Sequence, residues 1–149
     1  MALPAFRDDG WLPEGPHQAT WEEIVARFGD APGSQRARVL SSLLAWRDAV
    51  LSKGMGGLVI LNGSFISRKE APGDFDLVFF YDEATKALVL RDTAAKALTD
   101  YQACRAAGFS GDVFAFPASL RLLSPLLAGT DMFDFDRRGT PKGVVEVLL

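Results

Sequence analysis

The sequence predicts an α/β domain of the α+β kind, a small mixed β-sheet flanked by helices and finished by a C-terminal β-hairpin. Short apolar runs of strand length stand at 58–61, 75–80 and 111–117, each bounded by turn residues. Between them lie longer stretches with three-and-four apolar spacing or Ala-rich composition, which favour helix. With 149 residues, 48% hydrophobic and 23% charged, the chain supplies one core of ordinary composition, so all of it is read as one domain.

Residues 1–19 are rich in Pro, Gly and charge but carry Leu3, Phe6, Trp11 and Leu12, which suits an extended arm laid on the domain. His17 is the only histidine; a His-based zinc site would need Cys104 and distant carboxylates, so a structural role is expected. Thr20-Trp21-Glu22-Glu23 forms a capping box that starts a short helix running to about Phe28. After the breakers at 29–33, Ser34 caps a longer helix. Its apolar face is Val39, Leu40, Leu43, Leu44, Trp46, Val50 and Leu51, with Arg36, Arg38, Arg47 and Asp48 largely outside it. Glycines at 54–57 turn the chain into the first strand.

Beyond the second strand, Asp82 or Thr85 starts a helical region that reaches about Ala107, and Asp92-Thr93 is an internal cap that leaves one helix or two open. Such a helical crossover is what a parallel or mixed sheet requires. A third strand, 111–117, ends at Pro117. Residues 118–128 allow only a short helix because Pro125 interrupts it. Strands at 132–135 and 144–149, joined by a polar turn, complete the expected hairpin.

A net charge of −3 gives no general attraction to nucleic acid or to an anionic membrane. A single cysteine cannot close an internal disulfide, and neither a basic-apolar leader nor an 18-residue apolar span is visible. The cytoplasm is the expected location. No membrane partner and no strong general DNA binding are expected.

The chemistry concentrates between Leu58 and Tyr81. The first strand stops at Asn62-Gly63-Ser64, and a polar loop leads to a second strand that opens on Asp74 and Asp76. Alternation puts both carboxylates on one side of the sheet, a few ångströms apart. Like charges that close need a compensating cation, and Mg²⁺ is the usual one for hard oxygen ligands. Gly63 has no side chain to obstruct a phosphate and Ser64 adds a hydroxyl donor. Ser67, Arg68 and Lys69 follow within reach of an anion, although a solvated loop explains them equally well. Asp112 heads the third strand much as Asp76 heads the second.

Gly63-Ser64, nine residues, then Asp74-Phe75-Asp76 before an apolar run resembles the signature of the polymerase-beta-type nucleotidyltransferase superfamily. The spacing is similar to that of the minimal nucleotidyltransferases of toxin–antitoxin pairs, and one residue shorter than their common form. The chain ends, LPAFRDDGWLPEGPHQATWEEIVARFG and RRGTPKGVVEVL, also resemble a bacterial family of unknown function that carries this core. The superfamily resemblance implies a nucleotidyltransferase fold, with Gly63 and Ser64 seating the triphosphate of an NTP. It also implies that Asp74, Asp76 and Asp112 hold two Mg²⁺ ions, Asp112 beside the ion that activates the attacking hydroxyl. The acceptor would be a protein, including a cognate toxin, or an RNA end, within a toxin–antitoxin or phage-defence module. Two rivals stand beside it: a catalytically inactive binding module of the same fold, such as an antitoxin or assembly subunit, and a metal-dependent phosphoryl hydrolase.

Other charged groups read as structural. Asp131, Asp134 and Asp136 suit a solvated strand face, and Arg137, Arg138 and Lys142 a basic hairpin tip. Trp11, Trp21 and Trp46 lie in apolar contexts that favour packing over base stacking.

Overall fold

Strand β3, Phe75–Tyr81, is an interior strand of the sheet, because Phe75 and the run Leu77 to Phe80 are apolar and buried on both faces, with Asp76 between them. In the computed structural model, which describes residues 2–123, 139 and 141–149, β2 (Gly57–Asn62) lies antiparallel to β3 and β4 (Gly111–Pro117) lies parallel to it on the other side. Strand β5, Gly143–Leu148, pairs antiparallel with β2, and β1, Gly15–Gln18, adds a parallel edge to β5. The mixed sheet therefore runs β1-β5-β2-β3-β4.

One of these pairings differs from the sequence reading. The arm expected to be extended throughout contains β1, whose main-chain bonds to β5 need no alternating apolar pattern; Pro16 is tolerated because this is an edge strand. The other half of the expected hairpin, 132–135, lies outside the described residues. On the described side, β5 is flanked by β1 and β2.

Alternation divides the sheet into two faces. Val59, Leu61, Phe75, Leu77, Phe79, Val113, Val145 and Val147 face the helices and form the main core with Ile24, Phe28, Val39, Leu43, Trp46 and Val50. Trp46 meets Phe79 edge-on at 5.5 Å, and its indole nitrogen donates to the Leu98 carbonyl. The opposite face carries Ile60, Val78, Phe80 and Val144. A short helix, 118–123, follows β4 directly, and its Arg121 lies over the Phe80 ring and pairs with Glu146 at 2.6 Å.

Helices form where local caps allow. Helix α1 (Trp21–Phe28) has the full Thr20–Glu23 capping box, and α2 (Gln35–Ser52) is capped by Ser34. The crossover from β3 to β4 is three helices: α3 (Glu83–Arg91), α4 (Thr93–Ala97) and α5 (Tyr101–Ala106). Asp82, Asp92 and Asp100 each restart the helix by accepting main-chain amides.

Arg36 departs from expectation. It is only 7% exposed rather than outside the apolar face, and its guanidinium donates to the carbonyls of Phe28, Phe65, Ser67 and Lys69. Burial holds its pKa below the ordinary arginine value, with Asp30 acting in the other direction. The loop after Gly63 is thereby strapped onto the first turn of α2. Among the described residues, no helix is long and apolar enough to cross a membrane.

Candidate functional site

The register of three strands builds the site. Asn62 of β2 and Asp112 of β4 are the Cα partners of Asp76 in β3, so the three form one row across the sheet, on the face opposite the helical core. Asp74 precedes β3 by one residue and reaches the same cluster, since one arginine holds it together with Asp112. That arginine is Arg105, near the end of α5. Its Nη2 lies 2.9 Å from Asp74 Oδ2 and 2.6 Å from Asp112 Oδ1, and its Nε donates to Asp112 Oδ1 at 2.8 Å.

The Gly-Ser bend closes on the same row. Gly63 has φ +77°, and a Cβ there would come 2.1 Å from Asp76 Oδ2. Backbone conformation and contact both demand glycine. Ser64 then starts a three-residue 3₁₀ turn, Ser64–Ile66. The two halves of the sequence motif, nine residues apart along the chain, therefore touch.

The electrostatics follow from this packing. Burial, together with the charges of Asp74 and Asp112 and a hydrogen bond with Asp112, raises the Asp76 carboxyl from 3.8 to about 6, while Lys142 opposes the shift. Arg105 is held above its ordinary pKa chiefly by its hydrogen bond to Asp74, with Asp112 adding to it. Asn62 is 5% exposed, and its Oδ1 is buried without a hydrogen-bond partner among the described residues. As placed, no three His, Cys, Asp or Glu side chains among the described residues are set to hold a metal ion. Asp74 and Asp112 both face Arg105 instead.

The remaining candidates sit further from the row. Ser67 is 7% exposed; its hydroxyl donates to the Ser64 carbonyl at 2.6 Å and accepts the Lys69 amide at 3.1 Å. Arg68 is exposed and donates to the Asp8 carbonyl of the arm at 2.8 Å. The exposed Lys69 lends its carbonyl to Arg36. His17 donates through Nε2 to the Pro13 carbonyl at 2.7 Å, the structural role expected of it. Cys104 is buried in the main core, and that burial pushes its thiol up to about 11.

Lys142 corrects the reading of a basic tip. It is 6% exposed and lies over the Trp11 ring at 4.6 Å, close enough to Asp76 for its charge to act there. Residue 142 directly precedes β5, so its placement follows from strand pairing and the packed arm rather than from a hairpin end. Arg137, Arg138, Asp131, Asp134 and Asp136 lie outside the described residues. Sequence reasoning missed Arg105 and Asn62. The only signals were a cation near the end of the helix before β4 and a polar residue ending an apolar strand.

A family described as of unknown function, DUF6932, matches residues 4–148. The chain belongs to this family. No curated protein and no solved structure matches it. The DUF6932 match takes in the arm, the Gly63-Ser64 bend, the acidic row, Arg105 and β5.

Proposed function

We propose that the chain is a Mg²⁺-dependent nucleotidyltransferase that moves a nucleoside monophosphate from an NTP to a hydroxyl on a protein or an RNA end. The contact between Gly63 and Asp76 carries this reading, because it makes the bend and the carboxylate row one site. The donor set also suits a hard cation: three carboxylates on one face, one of them with a raised pKa, beside a buried amide oxygen with no donor among the described residues.

In this reading Asp74, Asp76 and Asp112 hold the ions. Bound Mg²⁺ would supply charge neutralisation for the leaving pyrophosphate and a lowered pKa for the acceptor hydroxyl. Gly63 lets the triphosphate approach the backbone, and the Ser64 hydroxyl donates to it. Arg68 and Lys69, both exposed, would meet the outer phosphates, while Arg36 keeps their loop in place. Asp112, at the sheet-edge end of the row, would favour deprotonation of the acceptor. A place in the cytoplasm, within a toxin–antitoxin or phage-defence module and with a neighbouring toxin as acceptor, belongs to the same proposal.

One observation favours a second reading. Arg105 already neutralises two of the three carboxylates, as expected of a binding module that keeps the fold without the metals. Incubation with labelled ATP, CTP, GTP or UTP and Mg²⁺, with and without total RNA and lysate, separates the two. Label on RNA or protein that is lost in Asp74→Asn/Asp76→Asn supports the transferase. Nucleotide binding without turnover supports the module, and release of free phosphate would point to hydrolysis.

A further inference from the structure

Arg105 places a single nitrogen between two carboxylate oxygens of different segments, 2.9 and 2.6 Å away, which is where a bridging cation would sit. We propose that Arg105 is a displaceable counter-ion of the acidic row. A divalent cation enters by exchanging with the guanidinium, and the site stays closed to metal while the two ion pairs hold. This rests on the metal-binding part of the function proposed above.

Three features make exchange reasonable. First, the grip is half in water: the side chains of Arg105, Asp74 and Asp112 are 38%, 39% and 22% exposed. Ion pairs this wet hold weakly against a competitor. Secondly, Arg105 is an exposed residue of α5, a six-residue helix, one residue from its end, so its side chain borders solvent. Thirdly, part of the site is left unsatisfied by the arginine. The amide oxygen of Asn62 lies on the same strand face as Asp76, is buried, and has no donor among the described residues, although Arg105 carries five N–H groups and, among those residues, hydrogen-bonds Asp74 and Asp112. A cation or its bound water would give that oxygen the partner it lacks.

The charges agree with the exchange. One guanidinium faces Asp74 and Asp112, and Lys142 acts on Asp76, so two cations stand against three carboxylates and one negative charge is left over when all are ionised. A doubly charged ion in place of the single charge of Arg105 would have Asp74, Asp76 and Asp112 to hold it, whereas the guanidinium pairs with Asp74 and Asp112. The exchange moves no covalent bond. It leaves a free guanidinium at the rim of the site.

The test uses Mn²⁺ alone, titrated calorimetrically into the full chain and into Arg105→Gln, Arg105→Lys and Asp76→Asn, with circular dichroism confirming the fold of each. Arg105→Gln is expected to bind Mn²⁺ about tenfold more tightly than the unmodified chain, the size of effect set by losing two half-exposed ion pairs. Arg105→Lys, which keeps the charge without the fork, should fall between them, and Asp76→Asn should abolish binding. In protein with isotope-labelled arginine, Mg²⁺ should shift the Arg105 Nε–H resonance towards that of a solvated side chain. Equal or weaker Mn²⁺ binding by a folded Arg105→Gln, beside measurable binding by the unmodified chain, overturns the exchange and leaves the metal site standing. Absence of Mn²⁺ binding in all four proteins overturns the exchange and the metal-dependent reading together. Mn²⁺ tightening with no nucleotide transfer to RNA or protein upholds the exchange and sinks the transferase.

Discussion

Arg36 and Arg105 do opposite work with the same side chain. Arg36 is 7% exposed and serves four main-chain carbonyls, none of which carries a formal charge. Arg105 is 38% exposed at its side chain and faces two carboxylates. A buried cation on carbonyl oxygens has nothing in water to exchange with, so it behaves as scaffolding for the loop after Gly63. A half-exposed cation on carboxylates competes with any other cation, so its hold is conditional. The difference sets the loop after Gly63, held by a buried cation, apart from the acidic row, whose counter-charge stands partly in water.

The largest effect expected is at Arg36. Arg36→Ala leaves carbonyls of Phe28, Phe65, Ser67 and Lys69 without their donor and opens a cavity at the base of α2. A stability loss of about 3 kcal/mol or more in chemical denaturation is expected. A loss below about 1 kcal/mol would erase the contrast between the two arginines.

Gly63→Ala comes next. Its φ of +77° and the approach of a Cβ to Asp76 Oδ2 combine to cost about 2 kcal/mol, and the displaced carboxylate should also weaken Mn²⁺ binding. Stability lost without any change in metal binding would show that the bend and the row are structurally joined but functionally separate.

Asp76→Asn should move stability the other way, and with pH. The folded carboxyl titrates near 6 against 3.8 in a free chain, so the folded form holds the proton more tightly. Its contribution to stability is complete below about pH 4 and is lost as pH rises through 6. The amide variant is therefore expected to gain about 1–2 kcal/mol at pH 8 and nothing at pH 4, after discounting the shift for solvent screening. A gain that is independent of pH would mean that volume or hydrogen bonding, rather than charge, governs this position.

Arg105→Gln is expected to change stability least, by under about 1 kcal/mol at pH 7 in the absence of divalent ions, because its ion pairs are half-exposed. A loss comparable to that of Arg36→Ala would make Arg105 a second scaffold residue and remove the basis for exchange.

Much of the fold was legible from short-range pattern. The strands at 57–62, 75–81 and 111–117 were readable because each is an apolar run bounded by Gly, Pro or Asp. The caps at Thr20, Ser34, Asp82 and Asp92 were readable because a cap bonds within three residues of itself. Asp74 and Asp76 could be assigned to one side of the sheet by alternation alone. The third helix start at Asp100 was missed because an Ala-rich stretch conceals a break that only its cap reveals.

What the chain order by itself determined was therefore the kind of each element and the side on which its charges stand, since both are set by neighbours a few residues away. Only the tertiary structure decided that β1 joins β5, that Asn62, Asp76 and Asp112 share a row, and that Arg36 lies buried under the loop. It also decided that Lys142 is enclosed beside Trp11 and that Arg105 spans Asp74 and Asp112. Each of these joins segments far apart in the chain, and the energy that selects them comes from excluding water and satisfying polar atoms between elements, which no local spacing encodes.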